Sequence, residues 1–389
     1  MKVNQVYETL NSLTEQITGQ SDLVQTDLSN VVDIGKTLFD NTSVDNYVKK
    51  LVDHIGKVAV VNRQISSMAP SLVMDSWEFG AALEKITIAP PEASANPTWS
   101  LTDGQTYNQD EFYAPEVTAK FYSERNTYSI PISRAERQVV GSFSNATQLS
   151  AFFSGIETAI RNAVTINTDA MIRATIGTMI GKTLANEASN GTYTGRTGVK
   201  AVNLLYEYNT AHQTTLTAAE AMQEPEFIRY ASNRMQNYIS WMTGQSSLFN
   251  VGGTLKFTPR DDLHVILLSE FKNAANTYLQ SNTFNEEYTA LPLGETVQYW
   301  QGSGETFDFS DTSSLNIQIS DGTSSGKTTI NATGILGVMA DRWAMGVNNQ
   351  NFRSPTHVNA SGEFVNIFYK YDGSFFVDDN ENFVVFYAA

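Results

Sequence analysis

The stretch Asp321-Gly322-Thr323-Ser324-Ser325-Gly326-Lys327-Thr328 comes nearest to residues spaced for chemistry. A phosphate-binding loop has a glycine, four residues, then Gly-Lys-[Ser/Thr], so that backbone N–H groups cradle phosphate oxygens where a helix begins. Here Asp321 stands where the first glycine belongs, and its carboxylate would repel phosphate. The following residues, Thr329 to Ile335, are β-branched and interrupted by Gly334 rather than helical. The segment reads as a solvated hairpin loop.

The four histidines, His54, His212, His264 and His357, show neither the i,i+4 spacing nor the His-x-Glu pattern of metal sites. His54 falls on the exposed side of its helix and His264 within a strand. No cysteine is present, which excludes disulfides, thiolate zinc sites and cysteine nucleophiles. The Gly-x-Ser-x-Gly elbow of serine hydrolases is missing. The carboxylate pairs Asp261-Asp262, Glu286-Glu287 and Asp378-Asp379 sit in polar surroundings that mark turns and solvated faces. Trp77, Trp99, Trp241, Trp300 and Trp343 are dispersed, so core or interface burial is expected of them rather than a stacking platform. No catalytic, cofactor-binding or metal-ligating residue is expected, and the chain does not read as an enzyme.

The elements that would position such residues point elsewhere. With 25 basic against 41 acidic residues the chain carries a net charge of −16, and no Lys/Arg run concentrates positive charge. Tight binding to a phosphate backbone is therefore not expected. A hydrophobic share of 41% over 389 residues suits a folded protein of two or three structural units. No signal-peptide pattern opens the chain and no window is apolar enough for a membrane span, so a soluble protein made in a cytoplasm is expected. The sequons at Asn41, Asn145, Asn190, Asn331 and Asn359 read as chance in an Asn- and Thr-rich chain.

The first forty residues read as a short helix and an arm, Ser43–Gly56 as a helix and Val58–Val61 as a strand. Residues 72 to 132 read as extended. Val117, Ala119 and Phe121 alternate, as do Tyr128, Ile130 and Ile132, and the Pro-rich stretch between Ile88 and Tyr113 suggests a two-stranded ribbon reaching to a neighbour. Leu149, Phe152, Phe153, Ile156 and Ile160 open a long helix from Ser144 to about Ile180. Residues 184 to 222 look loop-like. Pro225–Met242 and Glu270–Leu279 read as helices, and Leu263–Leu268, Leu315–Ile319 and Ile335–Trp343 as strands, with a Gly/Ser/Thr-rich excursion before the last. At the C-terminus Tyr371-Asp372-Gly373 reads as a turn. After it Ser374–Val377 and Phe383–Tyr387, joined by Asp378–Asn382, read as a β-hairpin.

The order of these segments resembles the major capsid proteins of tailed bacteriophages, in the branch of phages of Gram-positive hosts and phi29-like phages. The resemblance rests on Val6-Tyr7 to Leu10-Asn11, Asp27-Leu28-Ser29 and Leu51 to Lys57 as an arm, and Phe112 to Val117 with Phe121-Tyr122 as a returning strand. It continues through the helix from Ser144, Ala201 to Asn209, Phe227 to Ala231, Phe257-Thr258-Pro259, Tyr278-Leu279 with Thr283-Phe284, and Leu291-Pro292 leading to Trp300-Gln301-Gly302. It implies an α+β, HK97-like capsid fold. In that layout an N-terminal arm covers 1–71, an extended loop 72–132, a peripheral domain with a spine helix 133–245 and an axial domain 246–345. Residues 346–389 return to the peripheral domain and end in the β-hairpin. The implied function is a structural subunit that self-assembles into hexamers and pentamers of an icosahedral head around double-stranded DNA, without sequence-specific binding. Implied partners are other copies, a portal, a separate scaffolding protein and decoration or minor capsid proteins, with no membrane and no cofactor. The implied location is the virion, assembled in the bacterial host cytoplasm. A nanocompartment shell of encapsulin type, and a glycan-binding or tail-fibre β-protein, are the alternative readings.

Overall fold

The computed structural model describes residues 68–74, 83–88, 93, 99–106, 110, 112–115, 117–123, 125–135, 146–187, 193–280, 294–301, 312–320 and 326–389, with isolated positions 7, 11, 14, 15, 24, 25 and 30. The expected helix Ser43–Gly56, the strand Val58–Val61, His54, Trp77, Glu286-Glu287 and the loop 321–325 lie outside the described residues. The chain divides into two compact units: Trp77–Glu124, and the remainder, Met1–Ser76 with Arg125–Ala389.

The smaller unit holds strands β1 (Leu83–Ile88) and β2 (Val117–Tyr122), an antiparallel pair. The larger begins with β3 (Arg125–Ala135) and α1 (Ala146–Glu187). Next come β4 (Ala201–Asn203), α2 (Leu204–His212), α3 (Ala218–Ala221) and α4 (Pro225–Met242). Then follow β5 (Leu263–Leu268), α5 (Ser269–Gln280), β6 (Glu295–Val297), β7 (Leu315–Ser320) and β8 (Lys327–Ala332). The chain closes with β9 (Ile335–Asp341), β10 (Met345–Arg353), β11 (Thr356–Asn359), β12 (Phe364–Val377) and β13 (Phe383–Tyr387).

Helix α1 has 42 residues, about 63 Å at 1.5 Å per residue. Ile160, Met171, Ile172, Ile176, Met179, Ile180 and Leu184 return at three- and four-residue steps and are buried. Its interleaved threonines do not disrupt it, because Thr165, Thr168, Thr175 and Thr178 each donate back to the carbonyl four residues earlier. Gly177 and Gly181 open a notch for β7. A Cβ at Gly181 would lie 2.8 Å from Ile317 and 2.9 Å from Ile319, so only glycine lets the strand come this close. Helix α4 starts at Pro225, where a missing N–H costs nothing, and buries the stripe Phe227, Ile228, Ala231, Met235, Tyr238, Ile239 and Met242.

One sheet runs in the order β4-β13-β9-β5-β6, with β13 lying parallel to β4 and antiparallel to β9. Its central strands β9 and β13 are buried along their whole lengths. A second sheet sets β10 and β11 on one side of β12 and β3 on the other. Val365, Ile367, Tyr369 and Tyr371 alternate on the buried face of β12, which meets α1 where Gly373 touches Met171.

Several expectations need correction. Tyr371-Asp372-Gly373 is not a turn but the interior of the 14-residue β12, and β13 pairs with β9 and β4, not with β12. No C-terminal β-hairpin forms. The five-stranded sheet draws strands from 201–203, 263–268, 295–297, 335–341 and 383–387, so the boundary drawn at 245/246 cuts through it, and 346–389 is shared between two sheets. The extended unit spans 77–124 rather than 72–132, because Tyr128, Ile130 and Ile132 belong to β3 alongside β12. The loop-like stretch 184–222 holds the end of α1, β4, α2 and α3. The excursion before Ile335 contains β8.

Candidate functional site

The residues singled out for chemistry do not converge. Lys327 and Thr328 open a strand, Lys327 opposite Ser320 and Thr328 opposite Ile319, so the Gly-Lys-Thr element lacks the helix that phosphate binding requires. His212 lies on α2, stacked on Tyr208 at 4.2 Å, with Nδ1 3.0 Å from the Tyr208 carbonyl. His357 sits on β11 opposite Asn366. His264 is on β5, where burial lowers its pKa against an opposing pull from Glu295. Among the described residues no three His, Cys, Asp or Glu side chains are grouped to hold a metal. No described helix is long and apolar enough to cross a membrane.

Asp378-Asp379 departs from the solvated-face expectation. Asp378 is buried, its amide donating to Ala344 and its carboxylate accepting from Asn380, while Asp379 receives both bonds of Lys182 at 2.9 Å. Trp300 is a core residue whose Nε1 donates to the Ile335 carbonyl at 2.9 Å, but Trp99 is 98% exposed.

A different geometry marks the smaller unit. Register pairs Ile86 with Ala119, Ile88 with Val117 and Glu84 with Phe121. Because side chains alternate, Ile86, Ile88, Val117, Ala119 and Phe121 share one face, with Glu84 at its end. That apolar face is the open one, with its large side chains 54% to 67% exposed. Leu83, Lys85, Thr87, Lys120 and Tyr122, on the opposite face, are half-buried, while Thr118 there is exposed. Leu101, Phe112 and Tyr113 between the strands are exposed as well.

The chain on either side of this unit is fixed within the larger one. Before it, the Met68 amide donates to Asp169 on α1, and Ser71 donates twice to Glu295 on β6, through N at 2.9 Å and Oγ at 2.6 Å. The Met74 amide donates to Val347 on β10, and Ala69 and Leu72 are buried. After it, Arg125 lies 3.5 Å from the carboxylate of Asp372 on β12. Asp372 also accepts from Thr127 at 2.8 Å, Arg353 at 3.0 Å and Asn351 at 3.1 Å. A bulge between Gln350 and Arg353, with Asn351 at φ 54°, turns those last two side chains back toward it. Burial alone would raise the Asp372 pKa; the hydrogen bonds from Arg353, Thr127 and Asn351, with the Arg353 charge, outweigh it and hold the carboxyl at about 2. Both stems therefore end on β10 and β12, which pair with each other.

Sequence reasoning marked the alternation of β2 within an extended region but singled out neither β1 nor these anchors. The signal for Asp372 was the alternation Val365, Ile367, Tyr369, Tyr371 running straight into Asp372-Gly373 without a break in period. Ser71 and Glu295, 224 positions apart, left none.

The family model described as Phi29-like phage major capsid protein matches residues 8–387. No curated protein sequence matches the chain. Among solved structures it is similar to a chain from the capsid of Staphylococcus phage Andhra, at a TM-score of 0.49 and 11% identity, covering 82% of this chain and 83% of that one. It is similar to a chain from a structure of the head fibre and inner core protein gp22 of bacteriophage P68, at 0.49 and 11%, covering 84% and 85%. A chain from the capsid of cyanophage P-SCSP1u stands at 0.40 and 12%, covering 83% and 87%.

Proposed function

Since this chain belongs to the Phi29-like phage major capsid protein family and is a structural component of a phage head, we propose that it builds the head by lending its ribbon to the next copy. One observation carries this reading: the apolar face of β1 and β2 is turned outward. A two-stranded sheet cannot cover its own apolar face. The missing layer must come from another molecule, and a shell supplies one at every position. Burying an Ile or Phe side chain contributes about 1.5–3 kcal/mol before the cost of association is subtracted. The unit also holds eight acidic and two basic residues, so the surface receiving it must offer apolar area together with positive charge.

Each copy gives a ribbon and receives one, a head-to-tail contact that closes by rotation into rings. Hexamers and pentamers of an icosahedral shell are the rings that this predicts, assembled in the host cytoplasm. The net charge of −16 suits a container that holds double-stranded DNA without gripping it. Portal, scaffolding and decoration proteins would be its further partners.

Electron microscopy of the purified chain beside its light-scattering mass tests the reading. Closed particles or five- and six-fold rings are expected. A monomer near 42.9 kDa that stays monomeric even with the phage's scaffolding protein would overturn it.

A further inference from the structure

A second set of apolar side chains faces outward on the larger unit, around the segment that follows α4. Trp241, Leu248, Leu255, Phe257 and Trp343 are each 44% to 58% exposed. They belong to different turns, but the backbone draws those turns together. The Thr258 amide donates to the Met242 carbonyl, the Thr258 hydroxyl donates to Asp341 at 2.7 Å, and the Arg342 amide donates to Asp262.

The exposure does not come from a loose loop. Ser246 and Lys256 exchange backbone hydrogen bonds at 2.8 and 3.0 Å. Asn250 is buried, donates to Thr254 and Asn382, and accepts from the Thr254 amide at 2.9 Å. Lys256 reaches Glu381 at 3.0 Å, and Thr254 donates to the Asn380 carbonyl at 2.7 Å. Leu255 and Phe257 flank Lys256 in an extended segment, so they point away from the side that is fastened. A loop whose polar groups are bonded inward and whose apolar groups face water is built for contact.

We propose that this patch is a contact between copies of the chain, separate from the ribbon; the choice of partner rests on the shell reading. Residues 235–255 contain no charged side chain in a chain of net charge −16. Two copies repel wherever their acidic surfaces meet, and the uncharged stretch 235–255, with Trp241, Leu248 and Leu255 exposed along it, is where they can touch without that cost. Two of the neighbouring cations are engaged within the chain: Lys256 by Glu381, and Arg234, stacked over Trp241 at 5.0 Å, by Glu207 at 2.8 Å.

The chain has no cysteine, so Leu255→Cys introduces a unique thiol at a half-exposed position. Its modification by a maleimide is to be timed in assembled particles and in the unassembled subunit. At least tenfold slower labelling in particles is expected. Equal rates in particles that form normally would overturn the patch while leaving the shell reading intact. No particles from the unsubstituted chain would count against the shell reading instead. Free labelling in recombinant shells but protection in whole virions would assign the patch to another virion protein, and would also overturn the proposal. Phe257→Ser supplies the second arm. Its thermal unfolding should match the unsubstituted chain while particle yield falls at least tenfold; unchanged yield would contradict the proposal.

Discussion

Strand β13 and the ribbon β1–β2 are written in the same local code and meet opposite fates. Phe383-Val384-Val385-Phe386-Tyr387 and the apolar set of Ile86, Ile88, Val117 and Phe121 are both β-branched and aromatic, and both form short strands. In β13 every residue is buried, because β4 and β9 flank it and Tyr238 of α4 packs edge-on against Phe386 at 5.2 Å. In the ribbon the apolar residues remain in water. Strand formation is decided locally, but burial is decided by how many layers lie over the strand. The first region is completed by its own chain; the second stays open in it.

The largest test of that contrast is Phe386→Ala. Phe386 has no exposed surface and sits between sheet and helix. Removing its ring should cost about 3–5 kcal/mol, the range for a large aromatic lost from a packed core. Denaturant unfolding of the unassembled subunit measures it. A loss below about 1 kcal/mol would mean that β13 is not the centre of the core, and the comparison would fail.

How much of this the sequence reveals depends on how local the cause is. Pro225–Met242 is legible to the residue, since a proline start and an unbroken apolar stripe are local signals. Leu263–Leu268 is legible from its continuous apolar run. The partner of β13 is not, because β9 lies more than forty residues earlier and nothing near Phe383 points to it rather than to β12. Helix α2 was read as loop because it is only nine residues long. Its start depends on Asn203, whose side chain accepts from Tyr206 at 3.1 Å and also holds the amide of Ala389. Asp372-Gly373 misled for a physical reason. Glycine is needed there not for a turn but because a Cβ would lie 2.7 Å from Met171 and 2.8 Å from Tyr128. The aspartate is needed because two arginines, a threonine hydroxyl and an asparagine amide from two separate segments, β3 and β10, meet at it. As for function, Val117, Ala119 and Phe121 of β2 were legible as an alternating run beside a proline-rich stretch, but their partner was not: the second alternating run belongs to β3, and β1 pairs with β2 instead.

The anchors beside the ribbon supply the intermediate test. Asp372 ties β12 to the start of β3, just after the ribbon, and Asp372→Asn should cost about 1.5–3 kcal/mol at neutral pH, as for hydrogen bonds to a charged group. The pH dependence gives the sharper readout. The folded-state pKa of about 2 lies below the ordinary 3.8, so folding favours the ionised form. The stability this contributes is complete above 3.8 and is lost as pH falls toward 2. The gap in unfolding midpoint between the unsubstituted chain and Asp372→Asn should therefore close across that window. A gap that stays constant down to pH 2 would show that the carboxylate's charge is not what holds the stem.

The smallest expected effect on stability is the most informative one. Ile86 and Phe121 are diagonal neighbours on the open ribbon face, 60% and 67% exposed. Replacing both with serine removes almost nothing that the isolated subunit buries. Its unfolding free energy should shift by no more than about 0.5 kcal/mol, as for exposed positions generally. On the proposed reading assembly should respond in the opposite way, since those side chains would be the area a neighbour covers. A drop in particle yield without a change in unfolding would separate the two regions cleanly: β13 stabilises the subunit and the ribbon stabilises the shell. A variant that unfolds several kcal/mol more easily would mean the ribbon face is covered within its own chain. The contrast with β13 would then be one of degree, and the outward face could no longer carry the argument for a neighbour.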